Sequence, residues 1–153
     1  MTAMSFWSAL SPLPGGKWLF SRLVGFVIPY TGSMKPLVEH IEPGRAVVYL
    51  PDRRRVRNHL RSIHAIALAN VAEFTTGLAT LTGIPPDSRA ILVELHITYH
   101  IKARGRLRAT CNSQPPSSSE EQAVAVDASI FNEQDECVAT ATVTWLVGPI
   151  KKR

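Results

Sequence analysis

The chain has only two cysteines, Cys111 and Cys137, in 153 residues. Two are too few for a disulfide scaffold, and neither has partners at metal-ligand spacing, so they read as small core residues in a reducing compartment. No apolar run reaches the roughly 20 residues that a bilayer span needs. The best candidate, Trp18 to Tyr30, is short and is interrupted by Arg22. A basic leader followed by a clean apolar stretch and a small-residue cleavage site is missing too, so no signal peptide is expected and the expected location is cytoplasmic. Internal repeats are absent. So are a helix-turn-helix pattern and the aromatic-and-basic strand motif of RNA-binding sheets, which argues against a nucleic-acid partner. Charged residues make up 19% against 45% hydrophobic, which excludes a disordered chain.

What is present fits one compact domain with a sizeable core. The net charge of +5 suggests a partner that carries phosphates or an acidic surface. Residues 1–40 read as an N-terminal helical extension and 41–150 as the main domain. Pro12, Pro14 and Gly15-Gly16 split the extension into two short helical pieces, the second near 17–28. That second piece is expected to pack on the domain rather than on a membrane, because its polar face holds only Lys17, Ser21 and Arg22. Met34 to His40 is expected to add a helical turn or two. Ala46 to Leu50 reads as a strand, and an arginine run follows from Arg53 to Arg61.

Residues 62–82 predict a helix, with Ser62 as a candidate N-cap and Gly83 before Pro85-Pro86 as a stop. Its apolar side chains run nearly all the way round, so a sheet must curl about it. Gly77 inside it predicts a close approach by another element. Four strands are expected after it. In the first, Ile91, Val93, Leu95, Ile97, Tyr99 and Ile101 alternate with Leu92, Glu94, His96, Thr98, His100 and Lys102. The others cover Leu107 to Cys111, Val124 to Phe131 and Cys137 to Val147. The expected class is α+β: an antiparallel sheet wrapped around one long helix, with extra helices at the N-terminus. One sheet edge is left to cover, and dimerisation through an edge strand would cover it.

The polar exceptions on the helix are the candidate chemistry. Glu73 stands among apolar neighbours, where unpaired carboxylates are rare. Asn58 precedes His64 by six residues, and Glu73 follows His64 by nine. With these three at that spacing, the chain resembles the hotdog-fold acyl-CoA thioesterases, specifically the branch related to phenylacetic-acid-pathway thioesterases. The resemblance spans about residues 43–148. It departs from the family where Ala65-Ile66 replaces the usual Gly-Gly pair and where glutamate replaces the aspartate usual in the nearest branch. Isoleucine at position 66 is expected to narrow the site.

In a helix, nine residues separate His64 and Glu73 by roughly 13.5 Å and aim them to opposite sides. One chain cannot easily aim both at one thioester, but two antiparallel copies can. The resemblance implies that arrangement, a homodimer or homotetramer with sites at the subunit interface. It further implies that Glu73 acts as general base or nucleophile, that the Ala65 N–H polarises the carbonyl, and that Asn58 assists it or shapes its loop. His64 belongs to the same constellation, as a cap more than a proton shuttle. Thr75 and Thr76 are weaker candidates for positioning water. Coenzyme A enters only as part of an acyl-CoA substrate. For its phosphates the arginine run competes with the strand-pair cations, among which Lys102 and Arg104 are favoured.

No cofactor or metal is expected; His96, His100 and Glu94 on one strand face read as a solvated or interface face. The alternative function is a non-catalytic acyl-binding hotdog protein whose site Ala65-Ile66 has closed. A hotdog dehydratase is disfavoured by the spacing of His64 and Glu73. If the N-terminal helices lie over the acyl tunnel, they would set chain length.

Overall fold

A computed structural model describes residues 3–150. Three helices come first, α1 (Ala3–Leu10), α2 (Gly16–Val27) and α3 (Pro29–Met34), followed by strands β1 (Leu37–Glu42) and β2 (Arg45–Leu50). A single 3-10 turn, Arg54–Val56, leads to the long helix α4 (Ala65–Gly83). Strands β3 (Ser88–Tyr99), β4 (Leu107–Asn112), β5 (Gln122–Phe131) and β6 (Cys137–Pro149) follow it among the described residues. All pairings are antiparallel, and the six strands form one sheet in the order β1-β2-β4-β5-β6-β3. The sheet curls around α4, the hotdog arrangement expected from the sequence.

Helix α4 is long and apolar enough to cross a bilayer by length and composition. Here the sheet takes the place of lipid: Leu68, Val71, Ala72, Phe74, Leu78 and Ala79 are buried against the strands. Gly77 marks the close approach that its position predicts. A Cβ there would lie 3.1 and 3.2 Å from the Trp145 ring of β6. That ring is fixed in turn, because its Nε1–H donates to Thr76 Oγ1 at 3.2 Å.

Two β-bulges change the expected pattern. Residues 37–42 form a strand rather than the helical turn expected for Met34 to His40. A register shift between Val38 and His40 places Val38 and Ile41, three apart in sequence, both in the core. An i, i+3 apolar pair looks helical, yet here it comes from one extra residue in the strand. In β3 a second shift, between Leu92 and Glu94, reverses the expected alternation at its start. Leu92 faces α4 opposite Trp145, while Ile91 and Val93 are exposed, at 47% and 55%.

The two sheet edges are treated differently. Helix α2 lies along β1: Ser21 Oγ accepts the Val38 N–H at 2.8 Å, Arg22 donates to Pro36 O at 2.8 Å, and Lys17 pairs with Glu39. Strand β3 pairs with β6 on one side, and no described strand pairs with its other side. Helix α3 folds back sharply on α2, and the turn works because Gly25 and Gly32 touch. A Cβ on Gly32 would fall 1.9 Å from Gly25 O.

Candidate functional site

The N-terminal end of α4 gathers most of the residues singled out in the sequence. His64, not Ser62, is the N-cap, and its ring Nδ1 accepts the Ile66 N–H at 3.1 Å. The His64 carbonyl accepts from Ala67 and Leu68. The Ala65 N–H, in the first turn where helices lack internal acceptors, has no partner among the described residues. A helix N-terminus with a free N–H is suited to hold a polarised or anionic oxygen. Tyr99 Oη donates to the Ala65 carbonyl at 3.0 Å and fixes this turn from the β3 side.

Asn58 shapes the loop that leads in. Its Oδ1 accepts from the N–H groups of Leu60 and Ser62, at 2.9 and 3.2 Å, across a turn in which Arg61 has φ of 57°. With Oδ1 so engaged, only the Nδ2 hydrogens remain to donate elsewhere. The loop is anchored on two sides, His64 N–H to Val56 O at 2.7 Å and Ile63 N–H to Ala103 O at 2.8 Å. The second bond brings the exposed pair Lys102 and Arg104, which flank Ala103, beside the start of α4. Asp52 braces the same corner, accepting from Arg57 Nε at 2.6 Å and from the Gly105 N–H at 2.9 Å. The Arg57 hydrogen bond, the Gly105 N–H and the Arg57 charge together hold the Asp52 carboxyl below its usual pKa against the opposing effect of burial.

Glu73 stands apart from this group, about two and a half turns along α4. It lines an open cleft of about 340 Å³ with Tyr30, Ile66, Ala69, Asn70, Leu92 and Leu95. Ile66, Asn70 and Glu73 share one helix face by their i, i+4, i+7 spacing. Burial in this apolar setting pushes the Glu73 carboxyl above its ordinary pKa. The Asn70 side-chain oxygen is buried there without a partner. Ile66, 54% exposed, lies on the same cleft. Tyr30 lines this cleft and also the neighbouring one at His64, Arg55 and Arg57. The N-terminal segment therefore reaches the site.

Within one protomer, Asn58, His64, Ala65, Lys102 and Arg104 come together and Glu73 does not join them. Thr75 and Thr76 are fully buried, their hydroxyls donating to the backbone oxygens of Val71 and Glu73, and neither lines the cleft. Sequence reasoning passed over Tyr30, Tyr99 and the bulge-turned Leu92. Asn70 stands three residues before Glu73, a spacing that puts both on one face of α4. Among the described residues no group of three or more His, Cys, Asp or Glu side chains could hold a metal ion.

No curated protein matches the chain. Among solved structures, the one named genomics APC5556 is similar at 29% identity and a TM-score of 0.83, covering 97% of this chain and 98% of its own. PA5026 from Pseudomonas aeruginosa, a protein of unknown function described as a probable thioesterase, is similar at 20% identity and a TM-score of 0.77, covering 90% and 97%. A mutant of the thioesterase enzyme SAV0944 from Staphylococcus aureus is similar at 19% identity and a TM-score of 0.71, covering 79% and 99%. The last two likenesses speak for the fold. A family model matches residues 16–147, and the chain belongs to that family, the domain of unknown function DUF4442.

Proposed function

We propose that this protein is an acyl-CoA thioesterase that works as a homodimer, with Glu73 of one subunit facing the α4 N-terminus of the other. The observation that carries the reading is the split described above: a carboxylate of raised pKa in an apolar cleft, and a free N–H with neighbouring cations at the helix start, both short of a complete site in one protomer. The unpaired edge of β3, beside Leu92 and Leu95 of the cleft, is the natural seam for a second copy. The spacing of Asn58, His64 and Glu73 supports the branch related to phenylacetic-acid-pathway thioesterases. Neighbours of the same fold, one named a thioesterase and one described as a probable thioesterase, support the reaction class.

In this reading the thioester carbonyl oxygen sits against the Ala65 N–H, with the Asn58 Nδ2 group within the same corner. Glu73 takes a proton from water, and the hydroxide adds to the carbonyl carbon. The C–S bond breaks, and the proton held by Glu73 passes to the departing thiolate, giving a free acid and coenzyme A. In the nucleophilic variant Glu73 attacks the carbonyl carbon directly and the C–S bond breaks to release the thiolate; water then opens the anhydride, giving the free acid and a proton for the thiolate. Asn70 Oδ1 is the acceptor that would hold the water beside Glu73. Tyr30, Leu92 and Leu95 line the acyl path, and Lys102 and Arg104 meet the coenzyme A phosphates. The apparatus needs no cofactor.

Thiol release from acyl-CoAs of graded length, by wild type and Glu73→Ala, tests this reading. Turnover should fall by about 10²- to 10⁴-fold in the variant. Turnover indifferent to the substitution would discard the assigned base. A folded dimer inactive on every substrate would favour a non-catalytic acyl-binding protein, the reading that Ile66 in the cleft supports. Single turnover in ¹⁸O-water separates the two routes, since only the anhydride route delivers label to Glu73.

A further inference from the structure

Helix α2 is apolar on both long sides. Phe20, Ser21 and Val24 face the domain. Trp18, Leu19, Leu23 and Phe26 face solvent, at 60, 43, 46 and 87% exposure. Their spacing puts the four in one stripe of a 3.6-residue helix. A protein surface normally scatters its exposed apolar side chains, and a contiguous stripe marks an interaction surface.

The net charge around that stripe is positive. Residues 1–38 contain Lys17, Arg22 and Lys35 and no Asp or Glu. The arginine run joins them in space. Arg53 is near enough to Arg22 for their charges to repel, and Arg55 and Arg57 share a cleft with Tyr30 and Ser33 of α3. Glu39 and Asp52 neutralise Lys17 and Arg57. Arg22, Lys35, Arg53, Arg54 and Arg55 have no carboxylate at ion-pair distance among the described residues.

We propose that this face docks on the surface of an anionic lipid bilayer, with Trp18, Leu19, Leu23 and Phe26 entering the headgroup–acyl boundary and the unpaired cations meeting lipid phosphates. An apolar stripe with unpaired cations on and beside it matches such a surface in both chemistry and charge. A second copy matches it less well, because a two-fold contact sets each patch against itself and would bring unpaired cations together with no acidic partner. The proposal goes beyond thioester hydrolysis and stands or falls without it.

Sedimentation with phosphatidylcholine vesicles, with and without phosphatidylglycerol, tests the proposal on the full chain. Trp7 and Trp145 are buried, so a blue shift of tryptophan emission on vesicle binding reports Trp18. Binding and a blue shift are expected on the anionic vesicles, weakening as salt is raised. Leu23→Ser with Phe26→Ser should weaken binding by about tenfold or more, while the far-UV circular dichroism spectrum without vesicles stays that of wild type. Failure to bind anionic vesicles, or binding indifferent to the double substitution, would overturn the proposal. A double variant with a lower mass by light scattering would assign the face to a second copy and overturn it as well.

Discussion

At the residue scale, Glu73 has one cause acting on it. Burial raises its pKa above 4.5, and no cation is at hand to offset that. Between the unfolded and folded values the folded state holds a proton that the unfolded state has released. Stability therefore falls as pH rises through that window, and at neutral pH the ionised side chain is a net burden on the fold. Glu73→Gln should raise the Tm at pH 7 by about 2–4 °C. The gain should fade as the pH drops to about 4.5 and below. Thermal melts across that range check it, and a Tm gain that persists in acid would show that burial of charge is not the cause. The same shift moves the acid limb of kcat/KM upward from the ordinary glutamate value if Glu73 is the base. This residue was legible in the sequence because a carboxylate among apolar neighbours is conspicuous. Tyr30 was not, since only the tertiary fold carries it from the N-terminal segment to a cleft on α4.

At the scale of elements, α4 and the strands after it could be read from their patterns. Helix 62–82 was expected and Ala65–Gly83 is found; the start moves because His64 supplies the cap through Nδ1. The bulges were not legible. Each adds one residue to a strand, and which residue is extra is decided by the partner strand rather than by the local pattern. That hid β1 behind an apparent helical turn and turned Leu92 toward the cleft. Gly77 gives a test of the helix–sheet fit. Alanine there gains helix propensity of about 1 kcal/mol. Its Cβ would press on a Trp145 ring that is buried and bonded to Thr76, so the ring cannot yield cheaply. Overpacking of this kind costs about 1–3 kcal/mol. The net expectation for Gly77→Ala is a lower denaturation midpoint at unchanged m, and a midpoint equal to or above wild type would show that the ring gives way.

For the whole molecule, the question is how a curled sheet with two edges is finished. If two copies join along β3 as proposed, charge placed on its exposed start should part them. Ile91→Lys with Val93→Lys, both at solvent-facing positions, should halve the mass measured by light scattering and remove thiol release with it. A full-mass, fully active variant would place the subunit contact elsewhere. At the other edge, Ser21, Arg22 and Lys17 tie α2 along β1. In the language of polymerisation, a protomer with both edges open is a bifunctional monomer, and edge-to-edge growth of such units has no natural end. With α2 in place the unit is monofunctional, and coupling through β3 stops at two. The N-terminal helices would then act as a chain terminator. Clipping them off by proteolysis would do more than trim the protein: it would convert a closed pair into a link that can be extended.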